Sequence, residues 1–255
     1  MNLYTRTLGQ GPDLVLIHGW GLHSGIFDTV TDALSRTWRV TLVDLPGHGR
    51  SQDVALEPDL PRLAAQIAHA VPARAVWLGW SLGGLAAMQH AIDRPQDPRG
   101  LILVASTPRF IEDAGWAGIS PETLRAFGLG LQGDFLGTLR RFLALQVQGC
   151  DGHTDLLRRL KQQMLRRPPP RPEALAAGLT LLRETDLRPR LGRIARPALL
   201  IYGEHDRIVP ARTVRAFLRR LAAARAHCLK GAGHAPFLSH PDAFLSLVDA
   251  MLDET

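Results

Sequence analysis

The five residues GWSLG at 79–83 constrain this chain more than any other feature. They close the apolar run AVWLG (75–79) and lead directly into LAAMQHAI, whose apolar residues recur at helical spacing. A serine set between two glycines at a strand-to-helix junction implies a sharp, strained turn. Backbones approach closely there, so Gly79 and Gly83 must be small, and the Ser81 hydroxyl is held clear of the chain at a helix N-terminus. The turn also predicts where that hydroxyl sits: at the carboxyl end of a buried strand.

The surrounding pattern agrees. LVLI (14–17), VTLV (40–43), AVWLG (75–79) and LILVA (101–105) read as buried strands, and residues 26–36, 59–70 and 82–92 between them carry a helical period. Strand–helix alternation with continuously apolar strands predicts a mostly parallel sheet covered on both faces. From 108 to 190 the strand signal stops. Helix-like segments near 121–131, 134–148, 154–166 and 172–184 are interrupted by Pro168, Pro169, Pro170 and Pro172, which must end a helix. ALLIYG (198–203) and AHCL (226–229) restore the strand signal, and a helix-like stretch at 241–252 closes the chain. The expected organisation is therefore a core made of 1–107 and 191–255, split by a helical cap at 108–190. Ligands of open parallel sheets bind beyond the carboxyl ends of the strands. The insertion leaves at that edge, so it is expected to roof a site there.

Several classes of protein are excluded. The apolar runs fall far short of the ~20 residues that cross a bilayer, and MNLYTRTLGQGPDL lacks a basic-then-apolar leader. A cytoplasmic, membrane-free monomer is expected. Cys150 and Cys228 form no metal-binding cluster and are expected as two buried thiols, with a bridge between them as the alternative. The net charge of +6 lies entirely in residues 120–195, where 13 basic side chains face 7 acidic ones. Aromatic residues are not interleaved with this basic segment and no nucleic-acid motif is present, so nucleic acid is not the expected partner.

A serine hydroxyl needs a base, and the base needs an orienting acid. His234 in GAGHAPFLSHP (231–241) follows the last strand and is the expected base. His240, beside Pro241, suits a helix start. YGEHDRIVP (202–210) offers Glu204 and Asp206; Asp206, ahead of an apolar–proline stretch, is the expected acid, and His205 reads as a loop residue. HGWG (18–21) follows the LVLI strand, so the backbone N–H groups of Trp20 and Leu82 are expected to form an oxyanion hole. His18 reads as a brace for that loop, and Asp44 in DLPGHGRS (44–51) as a brace for its turn. No metal and no organic cofactor is called for.

HGWG, DLPGHGRS, GWSLGG, GEHD and GAGHAP, in that order along essentially the whole chain, resemble the α/β-hydrolase superfamily. A serine at 81 sets the chain apart from relatives that use an aspartate nucleophile. HGWGLH, WLGWSLGGLAA, RFLALQ (141–146) and HAPFLSHP are similar, more narrowly, to the pimeloyl–acyl-carrier-protein methyl ester esterases of biotin synthesis. That resemblance implies hydrolysis of the methyl ester that masks one end of a carrier-bound pimeloyl chain. It further implies substrate contacts at Trp20, Ser81, Leu82, Phe142, Leu143, Ala144, Leu145, Gln146 and His234, and carrier contacts at Arg141 and Arg158. Gly137 and Thr154 stand where that family can carry further arginines. The clusters Arg140–Arg141, Arg158–Arg159 and Arg166–Arg167 are expected to face an acidic partner. Three readings stay open at this stage: a general short-chain carboxylesterase, a lyase of menaquinone synthesis (or a carbon–carbon hydrolase) using the same residues, and a non-catalytic receptor on the same fold.

Overall fold

The computed structural model describes residues 2–221 and 224–254. Its centre is a seven-stranded sheet built from β1 (Thr5–Leu8), β2 (Asp13–Ile17), β3 (Arg39–Val43), β4 (Val76–Trp80), β5 (Gly100–Val104), β6 (Ala198–Gly203) and β7 (Ala224–Leu229), in the order β1-β3-β2-β4-β5-β6-β7. Every pairing is parallel except β1 with β3. The alternating, half-exposed TRTL of β1 carries no apolar run, so it escapes a reading based on buried strands; Thr7 and Thr41 join it to β3 through their hydroxyls at 3.1 Å.

The apolar side chains of β2, β4 and β5 are wholly buried, as the centre of a doubly covered sheet requires. The covering helices are α1 (Asp28–Leu34), α2 (Leu60–Ala70), α3 (Leu82–Asp93), α8 (Ala211–Leu218), α9 (Pro236–Ser239) and α10 (Pro241–Asp249). Their starts follow from local chemistry. The Asp59 carboxylate accepts the Arg62 N–H at the head of α2, with Pro61 in its first turn, and the buried residues Leu60, Leu63, Ala64 and Ile67 fall on one face.

Four helices lie between β5 and β6: α4 (Pro121–Gly133), α5 (Phe135–Val147), α6 (His153–Leu165) and α7 (Pro172–Glu184). The proline run separates α6 from α7 and is seated on the loop after β3. Arg171 donates its N–H to the Gly47 carbonyl and its Nε–H to that of Gln52, while Gln52 Nε2 donates to the Pro169 carbonyl.

These contacts change the meaning of the basic surplus. Arg166 pairs with Asp28, Arg167 with Asp44, Arg171 with Asp53, Arg188 with Asp113 and Arg190 with Asp93. Four of these pairs fasten the helical segment to the core acids Asp28, Asp44, Asp53 and Asp93, while Arg188 and Asp113 tie the segment to itself. The expected outward cluster Arg166–Arg167 is corrected accordingly: Arg167 reaches inward to the fully buried Asp44. A second correction concerns the cysteines. Both are free, but only Cys150 is buried; Cys228 is exposed because β7 forms the edge of the sheet. Among the described residues no helix is long and apolar enough to cross a membrane.

Candidate active site

Ser81 sits between β4 and α3 with φ +55° and ψ −118°, a conformation an L-residue holds only when its surroundings enforce it. The enforcement is visible. Its N–H donates to the Val104 carbonyl at 3.0 Å, and its carbonyl accepts both the Gly84 N–H at 2.9 Å and the Ser106 hydroxyl at 2.8 Å. A Cβ on Gly79 would collide with the Gly83 carbonyl, and one on Gly83 with that of Ile17, so the glycines of the motif are steric necessities.

The turn at the end of β7 brings His234 to this hydroxyl. His234 Nε2 lies 2.9 Å from Ser81 Oγ, and Nδ1 lies 2.9 Å from Asp206 Oδ2. The other Asp206 oxygen accepts the N–H groups of Ile208 and Val209 at 2.8 and 2.9 Å, which fixes the carboxylate in the plane its partner needs. Sequence distances of 153 and 28 residues are thereby closed into one continuous hydrogen-bonded chain. All three groups are buried, with Ser81 only 3% exposed.

The His234 loop is held from several sides. Its carbonyl accepts the Trp80 indole N–H at 2.7 Å, and its N–H donates to the Gln146 carbonyl at the end of α5 at 3.0 Å. Glu204, the other acid considered from the sequence, accepts the Gly231 N–H at 3.0 Å; it braces this loop and does not touch His234. His240 lies at the head of α10, where its carbonyl accepts the Phe244 N–H, and His205 is exposed in its loop.

The HGWG loop abuts the serine. A Cβ placed on Gly19 would lie 3.0 Å from Ser81 Cβ. Leu82 is the first residue of α3, so its N–H is one of the helix's unpaired leading donors, beside the serine. The side chain of Trp20 is buried: its indole N–H donates to the Leu175 carbonyl on α7, and its ring meets Phe142 edge-on at 4.7 Å. Phe142 in turn meets Phe127 edge-on at 5.6 Å. Within the RFLALQ stretch, helical geometry separates the residues: Phe142, Leu143 and Gln146 are buried, whereas Ala144 and Leu145 are half-buried. Both polar atoms of the Gln146 carboxamide are buried without a hydrogen-bond partner.

His18 and Asp44 stabilise the frame. His18 Nε2 accepts the Leu45 N–H at 2.9 Å, which leaves the proton on Nδ1 to donate to the Gly19 carbonyl at 2.8 Å. Burial, reinforced by the neighbouring His48, pushes this imidazole down to about 3, and burial pushes His48 down to about 4; both are neutral braces near neutral pH. Asp44 accepts the N–H groups of Ser24 at 2.7 Å and Arg50 at 2.9 Å and pairs with Arg167 at 2.9 Å. Ser106 and Trp80 were not singled out by sequence reasoning, and Arg167 was expected only in a cluster facing an acidic partner, not as the partner of Asp44. A serine two residues past β5 is the one local signal that points to any of them, since that strand end faces the Ser81 turn.

Arg141 and Arg158 are exposed on the outer side of α5 and α6. Arg141 reaches Asp134 at 3.3 Å and Thr138 Oγ1 at 2.7 Å; Arg158 shares Asp155 with Arg159. Such exposed pairs contribute little and are readily exchanged for a partner's carboxylates. Among the described residues there is no group of three or more His, Cys, Asp or Glu side chains able to hold a metal ion.

A buried serine, a histidine that can take its proton, a carboxylate that orients the histidine and the leading helix amide of Leu82 beside the serine make a group able to transfer acyl groups. Comparison with known proteins gives this geometry its context. The alpha/beta hydrolase family model matches residues 14–247. A protein of Nitrosomonas europaea described as a pimeloyl-[acyl-carrier protein] methyl ester esterase is 43% identical over 98% of this chain and 99% of its own length. One of Xanthomonas axonopodis pv. citri with the same description is 46% identical over 94% of each. Among solved structures, an esterase from Exiguobacterium antarcticum superposes with a TM-score of 0.87 at 21% identity, covering 98% of this chain and 95% of its own; at that identity it speaks for the fold alone.

Proposed function

The chain belongs to the alpha/beta hydrolase family and, within it, to the pimeloyl-[acyl-carrier protein] methyl ester esterases, and from that premise we propose that it hydrolyses the methyl ester of pimeloyl-[acyl-carrier protein] in biotin synthesis, releasing methanol and a free carboxylate. The observation that carries this reading is the Ser81–His234–Asp206 hydrogen-bonded chain, at 2.9 Å in both links. Residues 108–190 act as the roof of the site.

In the first step Ser81 Oγ attacks the ester carbonyl while His234 Nε2 takes its proton. Asp206 holds the imidazole with Nδ1–H directed at its carboxylate and stabilises the imidazolium that forms. Negative charge develops on the carbonyl oxygen, where the amides of Trp20 and Leu82 receive it; one such donor is typically worth about 3 kcal/mol of barrier. The C–OCH3 bond breaks, and the methoxide leaves as methanol with the proton from His234. Water then gives a proton to His234 and attacks the acyl carbon, and Ser81 Oγ recovers the proton as the acid is released.

The pimeloyl chain lies along the apolar surface of Trp20, Phe142 and Leu143, with Leu82, Ala144, Leu145 and Gln146 completing the contact. Arg141 and Arg158 meet the acidic carrier on the outer face of the roof. Mass spectrometry of methyl-pimeloyl-[acyl-carrier protein] incubated with this protein tests the reading: the carrier should exchange its methyl for a proton, and Ser81→Ala should leave it intact. Cleavage of small esters with an untouched carrier substrate would reassign the chain to general carboxylesterase activity.

A further inference from the structure

Among the described residues, three other than glycine have positive φ: Arg74 in an exposed turn, Ser81 at +55° and Ala105 at +45°. The last two lie side by side at the carboxyl ends of the paired strands β4 and β5. Ala105 is buried, and its N–H donates to the Ile201 carbonyl of β6 at 2.8 Å, so the sheet holds it in place. An L-residue in the left-handed region is strained, and such strain persists where the surroundings fix a geometry that function needs. The strain at Ser81 serves the nucleophile. What the strain at Ala105 serves is shown by the residues on either side of it.

Val104 and Ser106 flank Ala105, and both bond to Ser81. The Val104 carbonyl accepts the Ser81 N–H at 3.0 Å, and the Ser106 hydroxyl donates to the Ser81 carbonyl at 2.8 Å. The turn at Ala105 ends β5 and lets one tripeptide grip both backbone polar groups of the nucleophile. Ser106 is itself buried, so water does not compete for its hydroxyl. Gly84 belongs to the same device. A Cβ there would collide with the Ser106 side chain, so the sixth residue of GWSLGG is small because Ser106 lies against the first turn of α3.

The consequence lies one bond further on. The Ser81 carbonyl and the Leu82 N–H are the two ends of a single peptide unit. That unit is trans and planar, so its N–H points away from its C=O. Whatever fixes the carbonyl therefore aims the amide. Two donors fix it, the Ser106 hydroxyl and the Gly84 N–H at 2.9 Å. The Gly84 bond is local to α3 and turns with that helix, whereas Ser106 ties the peptide unit to the end of β5. Donation into a carbonyl also polarises its amide and makes the N–H a stronger donor.

We propose that Ser106 is a positioning residue for the oxyanion site: its hydroxyl pins the Ser81–Leu82 peptide plane and so aims the Leu82 N–H at the oxygen that gains charge. It touches neither the substrate nor the reacting atoms. The inference rests on the serine-esterase reading above and is independent of what the ester is attached to. Ser81 Oγ, His234 and Asp206 are bonded to one another without Ser106, so loss of the pin weakens transition-state stabilisation and leaves proton transfer in place.

The test compares wild type with Ser106→Ala, which removes the hydroxyl, and Ser106→Cys, which keeps the bulk but donates weakly. Rates on p-nitrophenyl acetate are taken per serine titrated with a fluorophosphonate, so misfolded protein does not count. Acylation and deacylation both pass through the oxyanion, so kcat and kcat/KM should fall together. Both variants should lose about tenfold or more, short of the ~10²–10³-fold cost of deleting an oxyanion donor outright, with KM within about twofold of wild type. The Ki of a trifluoromethyl ketone, whose hemiketal oxyanion occupies the same place, should rise by the same factor. The pH dependence of kcat/KM should keep its wild-type shape, because His234 is untouched. Ser106→Cys working at the wild-type rate would reduce the side chain to filling. A loss carried by KM alone, or an altered pH profile, would place the defect elsewhere, and each of these results refutes the pin. If wild type cleaves neither this ester nor the carrier-linked one, the esterase reading falls, and crystal structures of wild type and Ser106→Ala then decide the pin separately. A Ser81–Leu82 peptide that turns in the variant supports it, while an unmoved one refutes it.

Discussion

Replacing Arg167 by methionine removes the cation from the most deeply buried ion pair that ties the helical segment between β5 and β6 to the loop after β3. The Asp44 carboxylate is fully buried and the Arg167 guanidinium is 14% exposed. Breaking a buried pair by deleting one partner typically costs 3–5 kcal/mol, because a charge is left without compensation. Asp44 keeps the N–H groups of Ser24 and Arg50, so the low end of that range, about 3 kcal/mol, is expected. For a chain of this size each kcal/mol lowers Tm by roughly 2–4 °C, which predicts a fall of about 6–12 °C in thermal unfolding followed by circular dichroism. Arg158→Met removes an exposed pair and should move Tm by less than about 2 °C. The double variant Arg167→Met/Asp44→Asn should lose less than the sum of the two single losses, since the pair acts as a unit. A Tm for Arg167→Met within about 1 °C of wild type, or strict additivity in the cycle, would refute the reasoning.

Other perturbations have equally definite outcomes. His18 and His48 are neutral in the folded protein at values near 3 and 4 but titrate near 6.5 when unfolded, so the unfolded chain binds more protons between these limits. Their contribution is complete above about pH 6.5 and is lost as pH falls; at pH 5 each loses about 2 kcal/mol, visible as a lower Tm at pH 5 than at pH 7.5. A Tm that does not fall over that range contradicts the neutral-brace assignment. Asp206→Asn should keep the fold and reduce kcat on p-nitrophenyl acetate by about 10⁴-fold, as orienting acids do in other Ser–His–Asp enzymes. Gly178→Ala places a Cβ 2.6 Å from Trp20 Cδ1, so it should cost about 1–3 kcal/mol in urea unfolding and slow ester turnover by displacing the indole.

The legible parts of this molecule were those written in local patterns. Continuous apolar runs gave away β2 to β6, and helical spacing with proline punctuation located α4 to α7. The order of Ser81, Asp206 and His234 pointed to one another because each occupies a recurrent turn at a strand end. β1 was missed because an edge strand of alternating threonine and arginine carries no core signal. Ser106, Trp80 and the Arg167–Asp44 pair were missed for another reason: each acts through a partner between 25 and 154 residues away, and no local pattern reports such pairs. The same limit misplaced the charge. Composition located the surplus between β5 and β6, whereas only the folded chain shows which arginines are spent on Asp28, Asp44, Asp53, Asp93 and Asp113. Cys228 reads as buried in a β-type run because the run does not reveal that its strand lies at the sheet edge.

The proposed chemistry has a covalent consequence that one measurement can read. Ser81 attacks the ester at the far end of the pimeloyl chain while the near end remains bound to the carrier, so the acyl-enzyme is itself a conjugate of the two proteins. Acid quenching during the first turnover of methyl-pimeloyl-[acyl-carrier protein], followed by intact-protein mass spectrometry and peptide mapping, should reveal that conjugate joined through Ser81 and absent in Ser81→Ala. Methyl-pimeloyl on Ser81 with a released carrier thiol would mean that the thioester is attacked instead. That result, or continued demethylation by Ser81→Ala, would contradict the mechanism.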